Sequence, residues 1–178
     1  MMKMNIANKL TLLRIVMIPL FIYLLLEGYG ILALIVFSTA AFTDYLDGYL
    51  ARKYNLITNF GKFMDPLADK LLVTSALVCF VQLGLLNAWV VIIILSREFI
   101  VSIFRAIAAA EGIVIAANWW GKAKTISQMF MVIVLLLGNY PFEWINFPMD
   151  QILIILATIL TIVSGFDYIV KNKQVLKD

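Results

Sequence analysis

The 178 residues read as an all-α, polytopic membrane protein with six transmembrane helices and both termini in the cytoplasm. Three observations lead there. Hydrophobic residues make up 63% of the chain and charged residues 14%, where a soluble domain carries about 25% charge. The apolar residues fall into stretches of roughly 20, the length that crosses a hydrocarbon core. The basic residues gather toward one set of stretch ends, which the positive-inside rule assigns to the cytoplasm. The length fits a single domain over 1–178.

The spans are expected at 8–26, 31–51, 62–86, 88–110, 122–137 and 149–170. The first is too long for a cleavable leader and lacks a small-residue cleavage site, so it reads as a span. The links hold turn formers: Glu27-Gly28-Tyr29-Gly30, Gln82-Leu83-Gly84 and Gly138-Asn139-Tyr140-Pro141. With six spans, connections 27–30, 84–88 and 138–148 share one side and contain Glu27 and Glu143 but no lysine or arginine. All 14 basic residues lie at or toward the other side, and an odd number of spans would scatter them. Trp119, Trp120 and Trp144 fit the aromatic belts at the membrane surfaces.

Composition narrows the chemistry. There is no histidine, so a general base must be a carboxylate, lysine or tyrosine. A metal held by this chain would see mostly oxygen ligands, which favours Mg²⁺, Mn²⁺ or Ca²⁺ over zinc. Cys79 is alone in an apolar run; it cannot form a disulfide within the chain and reads as packing.

Charges also fall inside the spans: Arg14 in the first, Asp44 and Asp47 in the second, Asp65, Asp69 and Lys70 in the third, and Arg97, Glu98 and Arg105 in the fourth. Each costs about 2.5 kcal/mol or more unless it meets an opposite charge, a cation or a water-filled cavity. At ~1.5 Å per helical residue, Asp44 lies roughly 20 Å from the outer end of its span. Asp65 and Asp69 reach a similar depth from the cytoplasmic side. A polar cavity open to the cytoplasm over an apolar floor is expected. Asp44 and Asp47 are separated by three residues and Asp65 and Asp69 by four, so each pair shares a helix face. Gly48, Ala51 and Gly61 keep those faces open to a close neighbour. Four converging carboxylates need cations, and two divalent ions are an economical answer in phosphoryl chemistry.

The stretch from Asp44 to Asp69 reads D-x₂-D-G-x₂-A-R-x₈-G-x₃-D-x₃-D. This resembles, without departure, the signature of the CDP-alcohol phosphatidyltransferases. The opening Asn5-Ile-Ala-Asn8-Lys-Leu-Thr11-Leu-Leu-Arg14, the pair Arg97-Glu98 and the run Gly121-Lys122-Ala123-Lys124-Thr125 are similar to the bacterial phosphatidylglycerophosphate synthases of that family. The resemblance covers nearly the whole chain.

It implies transfer of a phosphatidyl group from CDP-diacylglycerol to glycerol 3-phosphate, with release of CMP. Asp44, Asp47, Asp65 and Asp69 match metal-binding aspartates, for two Mg²⁺ or Mn²⁺ ions, and Asp69 also matches the general base. Asn8, Thr11, Gly48, Arg52 and Thr58 match positions that hold the cytidine nucleotide. Glycine permits close approach, and arginine offers a forked donor to phosphate. Arg97, Arg105, Lys122 and Lys124 are candidates for the acceptor phosphate. Lys122 and Lys124 also fit a role at lipid headgroups. Arg97 and Arg105 stand about 12 Å apart along a helix, too far for one phosphate to bridge unless their side chains converge. The expected setting is the cell membrane, with the active site facing the cytoplasm, membrane lipids around it, a homodimer, and no nucleic acid. Inositol phosphate, inositol and serine are other acceptors in the family. A cation transporter is the rival class, but Gly48, Ala51 and Arg52 and the concentration of basic residues on one side argue against it.

Overall fold

The structure is a computed structural model that describes residues 6–53, 59–113, 115 and 118–173. Among the described residues there are six α-helices: α1 (Ile6–Leu26), α2 (Gly30–Lys53), α3 (Asn59–Gln82), α4 (Ala88–Ala110), α5 (Trp119–Leu136) and α6 (Met149–Lys171). One 3₁₀ turn, Phe142–Ile145, lies before α6, and no strand occurs among the described residues. The helices fall into two units, α1–α3 within Met1–Leu83 and α4–α6 within Gly84–Asp178.

Helix ends follow local chemistry. α1 stops where Gly28 takes φ +83°, a left-handed conformation that glycine adopts without a Cβ penalty. Gly28 N–H then donates to Leu25 O at 3.2 Å and Tyr29 N–H to Leu24 O at 2.9 Å, closing a Schellman turn. α5 ends in the same way at Gly138, with Asn139 N–H donating to Val134 O at 3.0 Å. α4 and α5 each begin at an asparagine cap: Asn87 Oδ1 accepts from Trp89 N at 2.9 Å, and Asn118 Oδ1 accepts from Gly121 N at 2.8 Å. Two expected boundaries shift as a result. α5 begins three residues ahead of Lys122 because Asn118 starts it, and α3 ends at Gln82, ahead of Gly84 with φ +72°.

α1, α2 and α6 are long and apolar enough to cross a membrane on their own. α3 carries Asp65, Asp69 and Lys70, α4 carries Arg97, Glu98 and Arg105, and α5 carries Lys122 and Lys124. Leu13, Val16, Leu20 and Tyr23 of α1, and Ile152, Ile155, Ile159, Ile162 and Phe166 of α6, are exposed at helical spacing. Apolar faces of this extent belong in lipid, and the chain is a membrane protein.

In the first unit α1 packs against α2 and α3. Its buried stripe runs Asn8, Thr11, Arg14, Ile18, Phe21, Leu25, polar toward the N-terminus and apolar beyond. The stripe of α2 runs the opposite way, Ala33, Phe37, Ala40, then Thr43 and Asp47. Phe21 and Phe37 meet at 5.6 Å between ring centroids. The apolar halves therefore seal one end and leave the polar halves together at the other. In the second unit α6 packs against both α4 and α5. Its buried face, Ala157, Thr161, Ser164 and Tyr168, is mostly small, which lets helices approach closely.

Candidate active site

At the polar end of the first unit, α1 organises three carboxylates. Arg14 Nη1 donates to Asp44 Oδ1 and Arg14 Nη2 to Asp47 Oδ2, each at 2.5 Å. One turn earlier, Thr11 Oγ1 donates to Asp65 Oδ1 at 2.7 Å. Thr11 and Arg14 are fully buried, Asp47 is nearly so, and the Asp44 side chain is 41% exposed. Asp47 feels the charges of both Asp44 and Asp65 and accepts a hydrogen bond from the Gly48 backbone. Asp65 is half-buried, and Asp69, one turn further along α3, is exposed. Asp44, Asp47 and Asp65 thus line up along one buried face of α1, and Asp69 is exposed one turn beyond Asp65.

Other predicted residues distribute unevenly. Asn8 is buried on the same α1 face as Thr11. Gly48 is half-buried in α2. Arg52 lies in the last turn of α2, but its side chain is outside the described part of the structure, and Thr58 lies outside the described residues. Among the described residues no three acidic groups stand close enough to enclose a metal ion as they are placed. The cation between Asp44 and Asp47 in this structure is a guanidinium.

The second unit holds a basic counterpart. Glu98 Oε1 accepts from Arg97 Nη1 at 3.0 Å and from Lys124 Nζ at 2.6 Å, tying α4 to α5. Arg97 Nε donates to Ser164 Oγ on α6 at 3.1 Å. Arg97 lies along two glycines: a Cβ at Gly165 would come 3.2 Å from its Cγ, and one at Gly121 would come 3.5 Å from its Nη2. Asn118 joins the same region, donating from Nδ2 to Asp167 Oδ2 at 2.5 Å, while Asp167 also pairs with Lys171 at 2.8 Å. Of the four basic residues expected to meet the acceptor phosphate, Arg97 and Lys124 come together. Arg105 is exposed and stacks 5.9 Å over the Tyr168 ring, and Lys122 is exposed in the first turns of α5.

Arg14 and Glu98, the charged centres of these networks, have no site role expected from the sequence, and Asn118, Ser164 and Asp167 have no expectation at all. Arg14 registered only as a costly charge, although its spacing from Asn8 and Thr11 puts it on their face. Glu98 is legible as a structural partner for Arg97, and the two do pair at 3.0 Å; what the sequence leaves out is Lys124 as its second partner, across helices.

The model of the CDP-alcohol phosphatidyltransferase family matches residues 4–163. The chain belongs to this family. Relatives match it along most of their lengths. It is 46% identical to the CDP-diacylglycerol–glycerol-3-phosphate 3-phosphatidyltransferase of Bacillus subtilis strain 168, over 97% of each chain. It is 41% identical to the protein of that name from Haemophilus influenzae, over 99% of this chain and 98% of the relative. A probable phosphatidylglycerophosphate synthase of Mycobacterium tuberculosis is 40% identical over 94% of this chain and 81% of its own. For a member of the CDP-alcohol phosphatidyltransferases, the carboxylate end of the first unit is the candidate reaction centre.

Proposed function

We propose that this chain transfers the phosphatidyl group of CDP-diacylglycerol to glycerol 3-phosphate, forming phosphatidylglycerophosphate and releasing CMP. The observation that carries this reading is the gathering of Asp44, Asp47 and Asp65 on α1 at the family signature's spacing, with Asp69 exposed beside them. The names of the full-length relatives support the donor and the acceptor.

The donor set suits a hard divalent cation: it is all oxygen, it is anionic, and two of its members already share a cationic partner. Asp44, Asp47, Asp65 and Asp69 would hold Mg²⁺ or Mn²⁺, two ions in full occupancy. When bound, such ions would supply positive charge to the diphosphate oxygens and the departing CMP phosphate. Asn8, Thr11, Gly48, Arg52 and Thr58 hold the cytidine nucleotide. An acceptor hydroxyl oxygen forms the new bond to the phosphorus that carries diacylglycerol, and the bond from that phosphorus to the CMP oxygen breaks. The exposed Asp69 carboxylate takes the hydroxyl proton, a carboxylate's task in a chain without histidine. Arg97, Arg105, Lys122 and Lys124 supply positive charge for the acceptor phosphate, which must enter near a diphosphate and four aspartates. The charge bias of the connections supports six spans, cytoplasmic termini, a reaction centre facing the cytoplasm and residence in the cytoplasmic membrane. The working form is a homodimer.

The test is CMP release by purified protein with CDP-diacylglycerol, Mg²⁺ or Mn²⁺, and each acceptor alcohol in turn. Glycerol 3-phosphate should be the productive acceptor. Asp44→Asn, Asp47→Asn and Asp65→Asn should each abolish turnover, and a chelator should silence the wild type reversibly. Full turnover in excess chelator would remove the metal from the reaction. Turnover of inositol phosphate with none of glycerol 3-phosphate would overturn the acceptor and leave the reaction class.

A further inference from the structure

We infer that Arg14 is a built-in countercation that competes with the divalent metal for Asp44 and Asp47. In this role it keeps the metal-free protein folded and lowers its affinity for metal. The inference rests on the metal reading above and assigns Arg14 a positioning role within it.

Four observations carry it. Arg14 is fully buried, where an unmatched charge is costly, so it must be neutralised by what surrounds it. Its terminal nitrogens go to two different carboxylates, one on each side, so it bridges Asp44 and Asp47 as a cation between them does. Among the described residues Arg14 Nε, which is buried, has no hydrogen-bond partner. Buried polar groups in a purely structural pair are normally satisfied, so this arginine is held by its charge contacts rather than by a complete bonding shell. Finally, the carboxylates it occupies are the two signature aspartates of α2, while Asp65 is held by a neutral hydroxyl instead.

Competition for one pair of carboxylates has a definite thermodynamic sign. Whatever the guanidinium contributes to the metal-free state, an incoming dication must replace or endure. Removing the guanidinium should therefore weaken the metal-free fold and tighten metal binding together. The alternative is that Arg14 orients the carboxylates for the metal. Its removal would then loosen metal binding, the opposite sign.

The experiment uses full-length protein in detergent micelles without substrate, with Mn²⁺ alone as the probe. Free Mn²⁺ is read from its electron paramagnetic resonance signal, and thermal midpoints are recorded with and without the ion. Arg14→Gln, purified in Mg²⁺ and then stripped, should bind Mn²⁺ about 10- to 100-fold more tightly than wild type, the scale of one or two charge-assisted hydrogen bonds. It should melt lower than wild type when metal-free and gain more from Mn²⁺. If stripped Arg14→Gln does not stay folded, Arg14→Lys retains the charge but not the two-armed fork, and it should bind Mn²⁺ more tightly than wild type. Equal or weaker Mn²⁺ binding by the variant that stays folded overturns the inference, as does a wild type that binds no Mn²⁺. CMP release plays no part in this readout, so failure here is separable from failure of the proposed reaction.

Discussion

The contact between Lys124 and Glu98 sets a measurable coupling. Nζ and Oε1 stand 2.6 Å apart, with the lysine side chain 4% exposed and the glutamate 27%. A charge-assisted hydrogen bond contributes about 1.5–3 kcal/mol net. The partial exposure of Glu98 places this one near about 2 kcal/mol. The two single changes are unequal. Glu98→Ala removes the acceptor of both Arg97 and Lys124 and strands positive charge in a nearly buried place, costing about 3 kcal/mol. Lys124→Ala costs about 2 kcal/mol, because Arg97 still neutralises Glu98. The double variant should then lose about 3 kcal/mol, well short of the sum. The assay is reversible unfolding in mixed dodecyl sulfate micelles, followed by fluorescence of the four tryptophans, for all four members of the cycle. A coupling below about 0.5 kcal/mol, the limit of additivity for independent sites, would refute the pairing as a determinant of the α4–α5 contact.

Three further outcomes follow from the geometry. Asp69→Asn should lose turnover while still binding CDP-diacylglycerol; near-normal kcat would move the base elsewhere. Arg105→Ala should raise KM for glycerol 3-phosphate about 10- to 150-fold, the range for a lost charge-assisted phosphate contact, and change that for CDP-diacylglycerol far less. Equal effects on both substrates would mark the stacking of Arg105 on Tyr168 as its whole role. Gly121→Ala places a methyl 2.9 Å from Asn118 Oδ1, the oxygen that caps α5. It should cost about 1 kcal/mol in the same unfolding titration, the value of a lost N-cap, and an unchanged midpoint would show that the cap yields freely.

Helix placement was largely legible because span length and turn residues are local properties. The side-by-side aspartates were legible for the same reason: spacings of three and four fix a shared face before any partner is known. Partners across helices are set by packing, and there the sequence is ambiguous. Lys124 fits a headgroup lysine when α5 is taken to begin at Lys122. Once Asn118 caps the helix, Lys124 lies in the second turn, turned inward to Glu98. Arg14 could have been matched to the aspartates by pairing the polar half of the α1 stripe with that of α2 run in the opposite direction. That step needs the hairpin formed by Gly28, and therefore topology as well as periodicity.

The bridge from Arg14 to Asp44 and Asp47 also bears on how the chain is made. The cation and its carboxylates are 30 and 33 residues apart in sequence, with the cation first. At about 5–20 residues per second, synthesis separates them by about 2–7 seconds. During that time an arginine in the first span faces an insertion cost of about 2.5–3.5 kcal/mol with no anion on its own helix to offset it. A nascent chain arrested before α2 should therefore insert α1 less completely than the same chain carrying Arg14→Leu, and glycosylation mapping of the two would reveal equal insertion if the timing is irrelevant. Insertion of α1 is then completed as a helical hairpin, in which α2 arrives carrying the charge that lets α1 stay.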